Sequence, residues 1–137
     1  MTVFKGSCLC GNVSYSVSRS PVQVVACHCA LCRRMTGAPF SVYVVARRAD
    51  VHVQQQNADL RQHQVTERTT RCFCGTCGTP LFNSNAEDYP GLSMIYLGTA
   101  EAPERNVPTM EIFCESKLPW VVLGTPCRSH ARSPGEA

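Results

Sequence analysis

The cysteine spacing constrains this chain more than any other feature. Cys27-His28-Cys29-Ala30-Leu31-Cys32 packs three thiols into six residues, with Cys8-Leu9-Cys10 upstream and Cys74-Gly75-Thr76-Cys77 downstream. Seven clustered cysteines are too many for one tetrahedral zinc site and one too few to fill two. Cys8 and Cys10 pair with Cys74 and Cys77 to give four sulfurs, the complement of a closed structural site. Cys27, Cys29 and Cys32 then leave a fourth position for water or substrate, as expected of a catalytic ion. Cys8 and Cys74 are 66 residues apart, so a metal joining them closes a long loop and becomes part of the fold.

Ten cysteines in 137 residues also suit a disulfide framework. Against that, Met-Thr-Val-Phe-Lys-Gly-Ser at the start lacks the apolar stretch of a secretory signal, which predicts a reduced, cytoplasmic setting where such cysteines bind metal. The apolar run Ala38 to Ala46 is far short of the roughly 20 residues a bilayer needs. A soluble protein with no membrane partner follows. The net charge of +3 is small, and no interleaved basic and aromatic stripe points to nucleic acid. Residues 1–48 nevertheless carry six basic side chains and no acidic one; five of them, between Arg19 and Arg48, suit an anionic substrate such as glutathione.

Val13, Tyr15 and Val17 alternate with serines, the period of a half-buried strand. Further strands are predicted at 22–26, 38–46, 51–53, 65–73, 80–83, 93–98, 110–114 and 120–123, with one short helix over 30–36 ended by Gly37 and Pro39. Gln54 to Gln64 is polar and reads as loop. The class is mainly β, with residues 1–125 as one zinc-binding domain and residues 126–137 as a disordered tail with almost nothing to bury.

Several residues carry alternatives. Cys72 shares a strand face with Cys74 and is either a fourth sulfur closing the second site or a small residue packed beside the metal turn. His28, between the ligands, is either a base or fourth metal ligand or, if the local chain is extended, a residue that points away from its cysteine neighbours and packs behind the loop. Arg33 and Arg34, directly after Cys32, read as solvated surface charges, or one of them neutralises the thiolates or holds a substrate carboxylate. Glu111 reads as a solvent-facing strand residue or a general acid or base. Cys114 reads as core, and Cys127 as an isolated thiol.

Four ordered motifs carry a resemblance: Gly6-Ser7-Cys8-Leu9-Cys10-Gly11; Cys27 to Arg33 with Thr36-Gly37-Ala38-Pro39-Phe40; Phe73-Cys74-Gly75-Thr76-Cys77-Gly78; and Lys117-Leu118-Pro119-Trp120. Together, from residue 6 to about 123, they resemble the glutathione-dependent formaldehyde-activating enzyme family, which also includes centromere protein V. The resemblance implies a β-tent of small antiparallel sheets, shared with methionine sulfoxide reductase B. It implies two zinc ions, a structural one on Cys8, Cys10, Cys74 and Cys77 and a catalytic one on Cys27, Cys29 and Cys32. The implied activity is that of a carbon–sulfur lyase run in reverse, joining glutathione and formaldehyde into S-hydroxymethylglutathione. The chain departs from many relatives at Glu111, near which a histidine often stands. The contrasting expectation is a non-catalytic, zinc-stabilised interaction module.

Overall fold

A computed structural model describes residues 2–135. The chain is mainly β: among the described residues there are eleven strands and one α-helix of seven residues, α1 (Ala30–Thr36). Strands β1 (Phe4–Ser7), β2 (Val13–Val17) and β5 (Val51–Gln55) form a small antiparallel sheet in the order β1-β2-β5. The larger sheet comprises β3 (Gln23–Cys27), β4 (Ser41–Arg47), β6 (Leu60–Gln64), β7 (Thr70–Cys74), β8 (Pro80–Ser84), β9 (Leu92–Tyr96), β10 (Met110–Ile112) and β11 (Arg128–Ser129). Its order is β11-β10-β3-β4-β9-β8-β7-β6, antiparallel except where β10 runs parallel to both β3 and β11.

Strand β4 explains how two cysteine clusters fit in one small domain. Its run Ser-Val-Tyr-Val-Val-Ala-Arg is apolar on both faces because both are covered. Val44 and Ala46 join the core built on Val13, Tyr15 and Val17 of β2, which also contains Cys8 and Cys74. Tyr43 and Val45, which point the other way along the strand, pack with Val25, Tyr96, Met110, Cys27 and Cys32. Each core therefore has one cysteine cluster at its margin.

The glycine of the first motif is required by close approach. A Cβ on Gly6 would collide with the Thr99 carbonyl oxygen and the Tyr15 ring, whose hydroxyl hydrogen-bonds Thr99 Oγ1 at 2.8 Å. Gly6→Ala is expected to lower stability by about 1–3 kcal/mol, the range for overpacking a filled site, read from the urea midpoint.

Some sequence expectations are corrected. Gln54–Gln64 is not a loop: it supplies the end of β5 and all of β6, with a turn at Asn57 and Ala58, both at positive φ. From residue 54 on, these strands are exposed apart from Leu60, so this stretch carries no apolar alternation to betray it. Residues 120–123 form no strand, and Trp120 is 69% exposed. The described part of the expected tail is ordered: β11 pairs with β10, and the amides of Phe113, Cys114 and Glu115 donate to the carbonyls of Arg132, His130 and Ala131. Backbone hydrogen bonding, which side-chain polarity does not report, holds that segment. Glu136 and Ala137 lie outside the described residues.

Candidate metal centres and the adjoining cavity

The first cluster joins two turns. Cys8 follows β1 and Cys74 ends β7; both are buried, while Cys10 is exposed and Cys77 half-buried. Gly11 and Gly78 adopt positive φ, which lets each turn fold back so that their amides donate to the carbonyls of Cys8 and Cys74. Cys10 Sγ lies 3.6 Å from Cys8 Sγ and 3.7 Å from Cys74 Sγ, and all four sulfurs lie within 4.8 Å of one another. Four thiolates at about 2.3 Å from one ion are about 3.8 Å apart, so this donor set fits tetrahedral zinc. The Thr79 hydroxyl, 3.1 Å from Cys77 Sγ, heads the causes that pull the Cys77 thiol down to about 5.

The second cluster is built where β3 meets α1. Cys27 is the last residue of β3, and Cys32 lies in the first turn of α1. Cys29 is the N-cap: its extended backbone lets the sulfur accept from the Cys32 amide at 3.2 Å, in the place serine or aspartate usually takes. The three sulfurs lie within 4.8 Å of one another, with Cys32 and Cys27 Sγ 3.3 Å apart. Hydrogen bonds from the Cys27 and Cys32 thiols pull Cys29 down to about 3. The reciprocal contact with Cys29, followed by that with Cys32 and by burial, holds the Cys27 proton far above the usual thiol range.

Among the described residues, no fourth His, Cys, Asp or Glu joins this group. Cys72 packs instead against the core that contains Cys8 and Cys74. His28 is fully buried behind the loop, its Nε2 donating to Glu111 Oε1 at 2.9 Å and its ring tilted against Phe40. Glu111 is thus not solvent-facing: it is 7% exposed and also accepts from Lys117 Nζ at 2.9 Å. Burial works to raise its pKa, but the hydrogen bonds from Lys117 and His28 outweigh that and hold it below the usual carboxylate range. Parallel pairing puts Glu111 beside Ala26, next to the cysteine loop.

Arg33 has a different task from any expected of it. Its Nη1 donates to the carbonyls of His28 and Ser116, both at 2.7 Å, fastening the loop to the segment after β10. Cys114 is half-buried in a short 3-10 turn, and the Cys127 thiol donates to the Pro108 carbonyl. The residue that reaches the sulfurs is Tyr43, whose hydroxyl lies 3.2 Å from Cys32 Sγ. Asn83 Nδ2 donates to the Tyr43 oxygen at 3.1 Å, and Asn83 Oδ1 accepts from the Tyr96 hydroxyl at 2.9 Å. With Asn83 on one lone pair, the Tyr43 hydrogen is directed at Cys32 once that sulfur is a thiolate. Burial, above all, raises the Tyr43 pKa, so it remains a donor. A buried asparagine directly after the apolar Pro80-Leu81-Phe82 run was the available sequence signal for this relay, though a weak one, since Asn83 is followed by Ser84.

A cavity of about 890 Å³ opens beside Cys27, Cys29 and Cys32. Tyr43 and Asn83 line it next to the sulfurs, and Met35, Val45, Met94, Met110, Ile112 and Phe113 supply apolar walls.

Residues 3–116 match the family described as glutathione-dependent formaldehyde-activating enzyme. The chain belongs to that family. A crystal structure of a Rhodobacter sphaeroides protein is similar to this chain with a TM-score of 0.59 and 25% identity, over 71% of this chain and 87% of that one. No curated protein matches the chain. Family membership places both cysteine clusters inside the matched region. No helix among the described residues is long and apolar enough to cross a membrane.

Proposed function

We propose that this protein is a zinc-dependent carbon–sulfur lyase, run as a synthase in the reverse direction, acting on the adduct of an aldehyde with glutathione or another small thiol. The observation that carries this reading is a three-sulfur group, without a fourth side-chain ligand among the described residues, at the wall of a ligand-sized cavity. In this reading Cys27, Cys29 and Cys32 hold the catalytic ion, and Cys8, Cys10, Cys74 and Cys77 hold the structural one. The setting is cytoplasmic.

Zinc at the three-cysteine group supplies Lewis acidity, which favours the deprotonated form of a thiol and polarises a carbonyl oxygen. The chain's own residues do the remaining work. In the synthase direction a bond forms between the thiol sulfur and the carbonyl carbon, and the thiol proton ends on the carbonyl oxygen; the lyase direction reverses both changes. The apolar walls exclude water from the reacting atoms. The Tyr43 hydroxyl withdraws charge from Cys32, offsetting the loss of electrophilicity that three thiolates impose on their ion. The fully buried His28 and the Arg33 contacts fix the loop that carries all three sulfurs.

The direct test is adduct formation and cleavage by the zinc-loaded protein, followed by loss of free thiol and aldehyde. Turnover supports the reading, and its absence across glutathione and simple thiols contradicts it. Tyr43→Phe keeps the ring and its edge contact with Tyr96, 5.0 Å between centroids, but removes the donor. It is expected to lower activity, or the affinity of the weaker-held zinc in chelator competition, by about 10–100-fold.

A further inference from the structure

We propose that the cavity beside Cys27, Cys29 and Cys32 selects adducts whose thiol carries an uncharged, apolar body, in preference to glutathione. This rests on the lyase reading above and narrows its substrate. Glutathione brings two carboxylates and an ammonium, and a site built for it has to pair the carboxylates or leave them in water.

The cavity does not offer that pairing. Among the described residues that line it, Arg68 is the single cation, and it is already held by Glu87 at 3.2 Å and Asp88 at 3.0 Å. The rim group is therefore net negative and repels a second carboxylate. The basic residues of the first third of the chain are elsewhere: Arg33 is bonded to two carbonyls, Arg19 and Arg47 approach Asp50, and neither Arg34 nor Arg48 lines the cavity. The polar lining near the sulfurs, Asn83 and Tyr43, is uncharged and already engaged in the relay to Cys32. Apart from further uncharged polar groups such as Gln23, Thr66, Thr69 and Asn85, the lining is thioether and hydrocarbon surface, with Met35, Met94, Met110, Val45 and Ile112 prominent in it. Met-rich walls of this kind adapt to an aliphatic or aromatic body. At about 890 Å³ the cavity is also far larger than a one-carbon aldehyde needs.

The test compares binding and turnover on the zinc-loaded full chain. Two thioethers that cannot be cleaved, benzyl methyl sulfide and S-methylglutathione, are titrated by calorimetry. The formaldehyde adducts of phenylmethanethiol and glutathione are compared for kcat/KM. The proposal predicts tighter binding of benzyl methyl sulfide by at least about 10-fold, the worth of burying one phenyl-sized group. It also predicts that Glu87→Gln with Asp88→Asn, both exposed, strengthens S-methylglutathione binding up to about fivefold by freeing Arg68 and leaves the apolar ligand unchanged. Equal or tighter binding of S-methylglutathione to the unaltered protein overturns the proposal, as does failure of both thioethers to bind. Tight binding of the apolar thioether with no cleavage of either adduct upholds the selectivity and overturns the lyase reading instead.

Discussion

Cys29→Ser is expected to reduce bound zinc from about two ions per chain to about one, and to lower turnover by more than the 10–100-fold that loss of an outer-shell partner costs. The choice of serine separates two roles of this residue. Cys29 caps α1 by accepting from the Cys32 amide, and a serine oxygen performs that capping well. The helix is therefore retained while a sulfur is lost from the three-cysteine group. Cys29→Ala removes both contributions and is expected to cost about 1 kcal/mol more in stability than the serine variant. Zinc content by elemental analysis and the urea midpoint read the two effects separately. Retention of both ions with full turnover in Cys29→Ser would contradict a metal role for the cluster.

The second large effect is expected away from the sulfurs. Glu111→Ala removes the acceptor shared by His28 and Lys117 and leaves a fully buried imidazole whose Nδ1 already lacks a partner. Breaking a buried charge-assisted pair from one side costs about 3–5 kcal/mol, so a marginal domain of this size is expected to lose a large part of its stability. The folded-state pKa of Glu111 is depressed, so its contribution is present above the unfolded value of about 4.3 and is lost as pH falls through the folded value. Lys117, raised chiefly by the Glu111 hydrogen bond, contributes below its unfolded value of about 10.4 and loses that contribution above its folded one. The pair therefore stabilises most between those unfolded values. Glu111→Gln is expected to shed this part of the acid dependence, seen as a shallower fall in the urea midpoint as the pH is lowered from about 5 through the unfolded value to about 3. An identical fall in both proteins would refute the assignment.

The legible features of this sequence were those with short-range signals. Cysteine spacing identified both sulfur groups, because turns that present ligands are local. Alternation located β2, whose valines and tyrosine are buried between half-buried serines. Gly37 ended α1 where expected, in the left-handed conformation. The missed features depend on pairing across the chain. Tyr43, Asn83 and Tyr96 meet because β4, β9 and β8 are neighbours, and nothing near Tyr43 in sequence announces that its hydroxyl reaches Cys32. Glu111 looked solvent-facing because its donors, His28 and Lys117, come from a distant loop and from beyond its own strand. Arg33 stood next to a ligand in sequence, yet its side chain reaches two carbonyls, showing that proximity along a helix does not fix where a long side chain ends.

The central claim is that one metal site is closed and the other open. X-ray absorption on the native protein, with zinc content measured in parallel on Cys72→Ser, tests it most directly. The account predicts two zinc ions in both proteins, one bound by four sulfurs and the other by three sulfurs and one light atom. Four sulfurs around both native ions, or loss of one ion in Cys72→Ser, would contradict it.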